Sequence, residues 1–385
     1  MKPNTIIIHY SEIATKGLNR RFFEDTLIKN IAAALGIKKS IVKRKYGKIV
    51  VETEGNEDIR YRLQKIPGIA YFAFGVKAKL DIEDIVKESL NYIGGTAFRT
   101  FRVSAKRSNK NFGHTSDEIN NIVGKAVLEK FPDSKVKLNA PDIELFIEIS
   151  EKEAYLYTNN EKFRGIGGLP VGSSGRVIAS LSGGIDSPVA SFMAMKRGCK
   201  VVFVHIHNSS VQGEIVKDKI KKLVDILRYY QNEAKLYIIP FEKLQMDIIM
   251  RVPAKIRMII YRRFMMKIMN RIALNEKAKA VVTGDNIGQV ASQTLENINC
   301  IHKASLLPVL PPLIGMNKEE IIEIARKIGT YETSIIKGED CCSFMIAENP
   351  ETQGKLENIE EAEKKITDAE ELVDESVKGA EIVRL

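Results

Sequence analysis

Six consecutive residues have the composition of a phosphate-binding loop and give the strongest chemical signal in the sequence. They are Ser182, Gly183, Gly184, Ile185, Asp186 and Ser187. Glycine lets backbone N–H groups approach a phosphate closely, and serine hydroxyls add hydrogen-bond donors. Pro188 follows directly, and proline is favoured in the first turn of a helix, whose N-terminus carries partial positive charge. The pattern predicts an anion-binding turn between a strand and a helix, with an ordinary glycine turn as the alternative.

The other common phosphate-binding motifs are absent from the sequence. No G-x-x-x-x-G-K-[ST] segment occurs, and no G-x-G-x-x-G segment follows a predicted strand. A Walker-type NTPase and kinase-like transfer of a γ-phosphate are therefore disfavoured.

The four cysteines are Cys199, Cys300, Cys341 and Cys342. Their spacing fits no disulfide framework, which is typical of a reducing compartment, and we expect a cytoplasmic protein. The N-terminal apolar stretch is too short for a signal peptide, and no apolar run reaches the length of a membrane span, which disfavours a membrane role. Each cysteine is therefore a buried apolar residue or a reactive thiol.

Charge is distributed unevenly along the chain. The formal net charge is +10, but residues 351–385 hold 11 acidic and 5 basic residues, so residues 1–350 carry +16. This excess indicates a polyanionic partner, with simple solubility as the alternative. Lys106, Arg107 and Lys110 lie in a basic loop and are candidates for phosphate contacts, a solvated charged turn being the alternative.

The pattern of strands and helices divides the chain into five segments. Residues 1–56 and 57–162 each predict a small α+β unit. Residues 163–176 are rich in glycine and predict a linker. Residues 177–350 alternate apolar strands with helices, which predicts an α/β domain with a doubly wound parallel sheet. Residues 351–385 predict an acidic tail of one or two surface helices.

In this setting the loop at 182–187 resembles the signature of the PP-loop ATP pyrophosphatases. The resemblance implies that a substrate oxygen attacks the α-phosphate of ATP and that the loop holds the departing pyrophosphate. It also implies that Mg²⁺ spreads the negative charge of the transition state. Asp186 is then expected to assist in placing metal or phosphate.

Four further segments carry a longer resemblance. They are Gly-Gly-Leu-Pro-Val-Gly at 167–172, Thr-Gly-Asp-Asn at 283–286, Gln-Val-Ala-Ser-Gln-Thr at 289–294 and Pro-Leu-Ile-Gly-Met at 312–316. Together they resemble the tRNA 4-thiouridine synthetases, and the likeness extends through a ferredoxin-like unit and a unit similar to THUMP RNA-binding domains. The resemblance implies tRNA as the partner, the uridine at tRNA position 8 as the target, and a homodimer.

The resemblance also implies a nucleotide shell at the carboxyl edge of the sheet. Besides the serines and glycines of the loop, it comprises Ser180, Leu181, His205, Ile206, Arg262, Gly284 and Gln293. Backbone groups at 180–181 and 205–206 are expected to border the adenine. The alternatives are an ordinary sheet residue for His205 and an RNA phosphate contact for Arg262.

Cys341 and Cys342 resemble the sulfur-handling cysteine segment of that family. The resemblance implies that Cys341, with Cys342 as the rival, carries a persulfide whose outer sulfur replaces the activated uridine oxygen. The sequence has no rhodanese-like extension, so we expect an external persulfide donor such as a cysteine desulfurase, and a role in thiamine thiazole synthesis becomes doubtful. The segment 254–274 contains no C-x-x-C, so we expect no iron–sulfur cluster.

Two rival functions remain open at this point. Another PP-loop enzyme could adenylate a different substrate, as in 2-thiouridine formation. A non-catalytic RNA-binding module with a degenerate nucleotide site is the second rival.

Overall fold

The computed structural model describes residues 2–10, 12–208, 213–336 and 347–385. The chain forms two compact units, Met1–Pro170 and Val171–Leu385. Within the described residues, no helix combines the length and the apolar character that crossing a membrane requires.

The first unit combines strands and helices. Its elements are β1 (Thr5–His9), α1 (Arg20–Leu35), β2 (Val42–Lys45), β3 (Lys48–Val51), α2 (Glu57–Gln64), β4 (Tyr71–Lys79), α3 (Ile82–Ile93), β5 (Thr100–Arg107), α4 (Ser116–Lys130), β6 (Lys135–Val136), β7 (Ile143–Ile149) and β8 (Glu153–Arg164). Among the described residues the strands form one eight-stranded sheet in the order β2-β3-β1-β4-β8-β7-β5-β6. The two predicted α+β units therefore share a sheet, because β1 and β4 pair directly.

Each half of this sheet has its own hydrophobic core. The alternation of a strand sends Ile6 and Ile8 of β1 into the core that includes Leu27 and Ile31 of α1. A separate core joins Ile85 of α3 to other buried residues. Helix α4 starts at a capping box, in which the side chains of Thr115 and Glu118 each bond the other's backbone N–H.

The second unit is an α/β domain. Its elements are β9 (Arg176–Ser180), α5 (Asp186–Lys196), β10 (Lys200–His207), α6 (Gly213–Arg228), β11 (Lys235–Pro240), α7 (Glu242–Arg251), α8 (Arg257–Glu276), β12 (Val281–Val282), α9 (Leu295–His302), β13 (Val309–Leu310), α10 (Lys318–Ile328), α11 (Tyr331–Ser334), α12 (Leu356–Glu363), α13 (Ala369–Lys378) and β14 (Glu381–Arg384). Its sheet has the order β13-β12-β9-β10-β11-β14.

The strand order confirms the predicted doubly wound parallel sheet. Strands β13, β12, β9, β10 and β11 pair in parallel. The chain runs from β9 outward to β10 and β11, and then returns to the other side of β9 to form β12 and β13. Such a reversal opens a crevice at the carboxyl ends of the strands, where ligands of this fold class bind.

The acidic tail is more than a pair of surface helices. Helices α12 and α13 form, but Ile359, Ala362, Ile366 and Val373 are buried in the same core as α8. The chain then adds β14, which pairs antiparallel with β11. The sequence pattern did not reveal this strand, since a four-residue edge strand with charged ends has no distinctive signature.

Candidate active site

The loop at 182–187 is closed by its two serines. Ser182 N donates to Ser187 Oγ at 2.8 Å, and Ser187 Oγ donates to the Ser182 carbonyl at 3.1 Å. The Ser182 hydroxyl accepts from Gly184 N at 3.3 Å. The hydroxyls therefore shape the loop rather than serving only as ligand donors. Helix α5 begins within the loop, at Asp186, and Pro188 lies in its first turn as the sequence predicted.

Asp186 is held from two directions by residues to which the sequence analysis assigned no role. Lys318 Nζ lies 2.6 Å from Asp186 Oδ1, and Gln289 Nε2 donates to Oδ2 at 2.8 Å. Lys318 is the first residue of α10, whose start is fixed by a capping box between Asn317 and Glu320. The contacts orient a carboxylate that remains partly exposed. Sequence offered no spacing signal for them, because Lys318 lies 132 residues away.

A cavity of ≈ 600 Å³ opens at the carboxyl ends of β9, β10 and β12, within the size range of small-molecule sites. The predicted residues lining it are Ser180, Leu181, Ser182, Asp186, Ser187, His205, Ile206, Arg262, Gly284 and Gln293. Its apolar wall comprises Met258, Ile259, Met265, Met266 and Met269 of α8, together with Val290. The structure thus brings most of the predicted shell around one cavity.

The structure also gives the surroundings of the two loop glycines and the local backbone at Gln293. Gly183 and Gly184 belong to the loop beside the cavity, and a Cβ on Gly183 would lie 3.4 Å from Lys219 Nζ. Gln293 ends a 3₁₀ turn, Ala291–Gln293, and it lines the cavity.

Gly284 is required by close packing of β12 against the phosphate loop. A Cβ at this position would lie 3.0 Å from Ser187 N and 3.2 Å from Asp186 C, both backbone atoms. Backbone atoms cannot rotate away, so a side chain here would displace the loop. The sequence analysis placed Gly284 beside the nucleotide, and the structure adds this packing reason.

His205 is a buried, neutral imidazole. Its Nδ1 lies 2.9 Å from the Leu181 carbonyl, an arrangement in which Nδ1 carries the proton and donates. Burial lowers the pKa of His205 to about 4. The His205 side chain is therefore uncharged at neutral pH and unsuited to act there as a protonated acid. Its other ring nitrogen, Nε2, has a lone pair.

Asp285 forms a buried charge pair with Arg262. Burial by itself would raise the pKa of the Asp285 carboxyl, but the Arg262 guanidinium and hydrogen bonds with His302 and Thr283 hold that pKa well below its usual range. Asp285 is 2% exposed and lines the same cavity. The sequence analysis used Asp285 only as part of a resemblance and assigned it no role.

The rim of the cavity includes the chain after residue 347. Pro350 and Glu351 line the cavity, and the Glu351 carbonyl accepts from Asn297 Nδ2 at 2.7 Å. On the other side of the cysteine segment, the Ile336 carbonyl accepts from Lys219 Nζ at 2.7 Å. Lys219 is the residue beside Gly183.

The cysteines fall into two groups. Cys341 and Cys342 lie outside the described residues. Burial raises the pKa of both Cys199 and Cys300, and Cys300 Sγ lies 3.2 Å from the Gly354 carbonyl. Thiols with raised pKa react slowly at neutral pH, as expected for structural cysteines.

The predicted RNA contacts lie in the first unit, at the end of β5. Lys106 and Lys110 are exposed. Arg107 Nη1 donates to the carbonyls of Phe112 at 3.2 Å and His114 at 2.7 Å, so this arginine also holds the loop that follows β5. Contact with RNA stays a prediction for all three.

Three family models match successive parts of the chain. A ferredoxin-like domain matches residues 5–73, a THUMP domain matches 79–159, and thiamine biosynthesis protein (ThiI) matches 172–367. These matches follow the order expected from the sequence.

Whole-chain relatives agree with the family models. A probable tRNA sulfurtransferase of Caldanaerobacter subterraneus subsp. tengcongensis is 43% identical over 368 residues, covering 94% of this chain and 95% of that protein. Another, of Moorella thermoacetica, is 38% identical and covers 98% of this chain and 97% of that protein.

Two solved structures share the fold. The crystal structure of a 4-thiouridine synthetase–RNA complex with bound ATP has a TM-score of 0.91 and 36% identity, and the match covers 100% of both chains. A crystal structure from Pyrococcus horikoshii has a TM-score of 0.67 and 26% identity, covering 85% of this chain and 99% of that one. The likeness therefore extends through both units.

Proposed function

Because this chain belongs to the tRNA sulfurtransferase family, matched by the thiamine biosynthesis protein (ThiI) model, we propose that it converts a uridine of tRNA to 4-thiouridine with ATP. The target is the uridine at tRNA position 8. One observation carries the proposal: the Ser-Gly-Gly-Ile-Asp-Ser loop forms one wall of a nucleotide-sized cavity that also collects the predicted shell.

The cavity suits ATP in both its polar and its apolar parts. We assign the phosphates to the loop at 182–187, where the N-terminus of α5 supplies partial positive charge. The adenine is assigned to the apolar wall of α8, bordered by backbone at 180–181 and 205–206. The Arg262 guanidinium lies at the same cavity wall as Asp285, with which it pairs, and it supplies a positive charge there.

Mg²⁺ fits this site as a companion of the nucleotide. Mg²⁺ is usually held by one or two carboxylates together with substrate phosphates. In the described part of the chain, no group of three or more His, Cys, Asp or Glu side chains could hold a metal ion. We assign Asp186 as the residue that would hold Mg²⁺, which when bound neutralises charge on the phosphates.

The proposed chemistry has two steps. The uridine O4 attacks the α-phosphorus of ATP, the bond to the bridging oxygen breaks, and pyrophosphate leaves from the loop. The outer sulfur of a Cys341 persulfide then attacks C4 of the adenylated uridine, and AMP leaves with the former O4. A second thiol then attacks the Cys341 sulfur, which forms a disulfide with Cys341 and releases the base as 4-thiouridine. An external thiol reductant reduces this disulfide before the next turnover. Cys342 is the rival for the persulfide.

The assignment of the cysteines is supported by their neighbours in the chain. On one side of the segment, Glu351 lines the cavity. On the other side, the Ile336 carbonyl accepts from Lys219 Nζ, which would lie 3.4 Å from a Cβ on Gly183 of the phosphate loop. Both ends of the cysteine segment therefore start from the neighbourhood of the nucleotide.

The tRNA partner accounts for the basic charge of residues 1–350 and for the THUMP match. We further propose a homodimer, a cysteine desulfurase as persulfide donor, and a cytoplasmic location. Lys106, Arg107 and Lys110 are proposed contacts with RNA phosphates, which would make tRNA binding sensitive to salt.

The decisive experiment supplies unmodified tRNA, ATP, Mg²⁺, cysteine and a cysteine desulfurase. We expect AMP, pyrophosphate and thiolated tRNA, with the nucleoside identified as 4-thiouridine by mass spectrometry. Reactions without ATP or without desulfurase are the controls. Formation of 2-thiouridine would favour the first rival, and tRNA binding without pyrophosphate release would favour a non-catalytic module.

Cysteine variants test the second step separately from the first. Cys341→Ala is expected to leave tRNA-dependent pyrophosphate release intact while abolishing 4-thiouridine, because the thiol acts only after adenylation. Cys199→Ala is the control and should retain both steps. If Cys341→Ala still forms 4-thiouridine and Cys342→Ala does not, the persulfide belongs to Cys342.

A further inference from the structure

One buried carboxylate connects two predicted nucleotide residues. Oδ1 of Asp285 accepts from Arg262 Nη2 and, at 3.4 Å, from Gln293 Nε2. Its Oδ2 accepts from Thr283 Oγ1 at 2.9 Å and lies 3.3 Å from His302 Nε2. Since Asp285 is almost wholly buried, its negative charge depends on these partners rather than on water.

We propose that Asp285 is a positioning residue for ATP binding, which acts by fixing the Arg262 guanidinium and the Gln293 amide at the cavity wall. The inference rests on the proposed function, because it takes Arg262 and Gln293 to contact ATP. It adds a residue with a distinct role: Asp285 orients the ligand contacts from behind.

The geometry around Arg262 explains why an anchor is needed. Nη2 is bound to Asp285, and Nη1 donates to the Ser292 carbonyl at 3.4 Å. Because a guanidinium is planar, anchoring both terminal nitrogens sets the orientation of the whole group. The Arg262 side chain is 16% exposed, so it cannot rely on bulk water to hold its charge in place.

Loss of the Asp285 carboxylate charge would affect Arg262 and Gln293, the two proposed ATP contacts, at the same time. Arg262 would keep a poorly hydrated positive charge without its counter-ion, and the Gln293 amide would lose the charge of its acceptor. Removing one member of a buried ion pair is costly chiefly because the other charge remains unpaired. The nucleotide would then meet two misplaced side chains.

The same helix offers a matched control. Arg263 follows Arg262 on α8 and pairs with Glu363, and both side chains are largely buried, at 5% and 12% exposed. Neither is among the described residues that line the cavity. Asp285→Asn therefore removes the carboxylate charge beside Arg262, and Glu363→Gln removes the one beside Arg263. Only the first change is at the proposed nucleotide site.

The experiment compares these two variants with the unmodified full-length protein. It measures the Kd for ATP, the KM and kcat of tRNA-dependent pyrophosphate release, and the thermal unfolding midpoint. Asp285→Asn is expected to raise the Kd and KM for ATP by roughly tenfold to a hundredfold, the scale of a small misplacement of binding groups. Glu363→Gln should change both constants by less than about twofold at a similar loss of stability.

A double-mutant cycle tests whether the effect passes through Arg262. If Asp285 acts by positioning, Asp285→Asn should weaken ATP binding much less in an Arg262→Ala background than in the unmodified chain. Unchanged ATP binding in Asp285→Asn alone, or fully additive losses in the double variant, would overturn the proposal.

Variants of His302 keep the test open if Asp285→Asn fails to fold. His302 is not among the described residues that line the cavity, and its Nε2 lies 3.3 Å from Asp285 Oδ2. His302→Leu removes the hydrogen bond to Asp285 and should raise the KM for ATP several-fold. His302→Gln can keep an N–H donor to Asp285, so its KM for ATP should stay near that of the unmodified protein. Equal KM values in both variants would contradict the proposal. Failure of the proposed function is a separate outcome, in which the unmodified protein itself releases no pyrophosphate with tRNA.

Discussion

Asp186 lies where three parts of the catalytic unit meet. It is the first residue of α5, it accepts from Gln289 in the segment after β12, and it pairs with Lys318 at the start of α10. A carboxylate beside transferred phosphates would raise the local negative charge, and the lysine offsets it. The site therefore combines an anion with its own cation.

Replacing Asp186 should separate catalysis from tRNA binding. Asp186→Ala is expected to reduce tRNA-dependent pyrophosphate release by at least about 100-fold, because the Mg²⁺ that we assign to this carboxylate would lose its protein ligand. The affinity for tRNA should stay near that of the unmodified protein, since the basic residues that we assign to RNA lie in the first unit. Normal 4-thiouridine yield from Asp186→Ala would defeat the assignment of the loop.

His205 should make stability sensitive to mild acid. Its pKa is about 4 in the folded chain and near 6.5 in an unfolded one, so between these values only the unfolded chain binds the proton. Folding stability is therefore lost as pH falls from about 6.5 to about 4, by about 3 kcal/mol from this group.

The measurement is denaturant unfolding at several pH values in that window. His205→Gln should show a shallower loss of stability than the unmodified protein, because Gln does not titrate. Some slope will remain, since burial also lowers the pKa of His207. An unchanged slope in His205→Gln would show that the pKa of His205 does not differ between the folded and unfolded chain.

At the scale of elements, the site depends on how closely strand ends approach the phosphate loop. Strand β9 delivers the loop, β10 delivers His205 and Ile206, and β12 delivers Gly284. Helix α8 closes the cavity with methionines, whose flexible side chains adapt to an apolar ring. The strand contributions lie at or just after the ends of strands, whereas α8 contributes residues along its length.

Gly284 tests this close approach. Gly284→Ala places a methyl group against the backbone of Ser187 and Asp186, so the loop must shift. We expect at least a tenfold rise in the Kd for ATP and a stability loss of roughly 1–3 kcal/mol. Gly315→Ala is the matched control, because nothing lies within 4 Å of its added Cβ. Equal ATP affinity in the two variants would show that the loop tolerates displacement.

At the scale of the whole molecule, the acidic tail belongs to the catalytic unit. Its carboxylates pair with bases of α8: Glu363 contacts Arg263 and Lys267, and Glu370 contacts Arg271. Its apolar residues enter the core of the unit. The exposed pairs contribute little individually, so the buried apolar contacts should dominate the attachment.

A pair of isoleucine variants tests that view of the tail. Ile359 is 1% exposed within the core, whereas Ile382 of β14 is 47% exposed. Ile359→Ala should lower the free energy of unfolding by about 2–5 kcal/mol, and Ile382→Ala by no more than about 1 kcal/mol. Denaturant titration provides the measurement. Similar small losses would mean that the tail is held loosely.

The sequence alone determined the features that depend on neighbouring residues. The glycines, serines and Pro188 of the phosphate loop specify a turn before a helix, and alternating apolar segments specify the parallel sheet, because periodicity and local conformation act over a few positions. The residues at strand ends were expected from the family resemblance, and they lie together because the ends of parallel strands share one edge.

Tertiary structure alone decided which distant side chains meet. Lys318 reaches Asp186 across 132 positions, and Asp285 joins Arg262 across 23. The residues of β14 are recognisable as a strand only because they pair with β11. Such contacts are set by the packing of whole elements, and no local propensity encodes them. The sequence thus specified a nucleotide loop and its fold, while packing selected the partners that orient its charges.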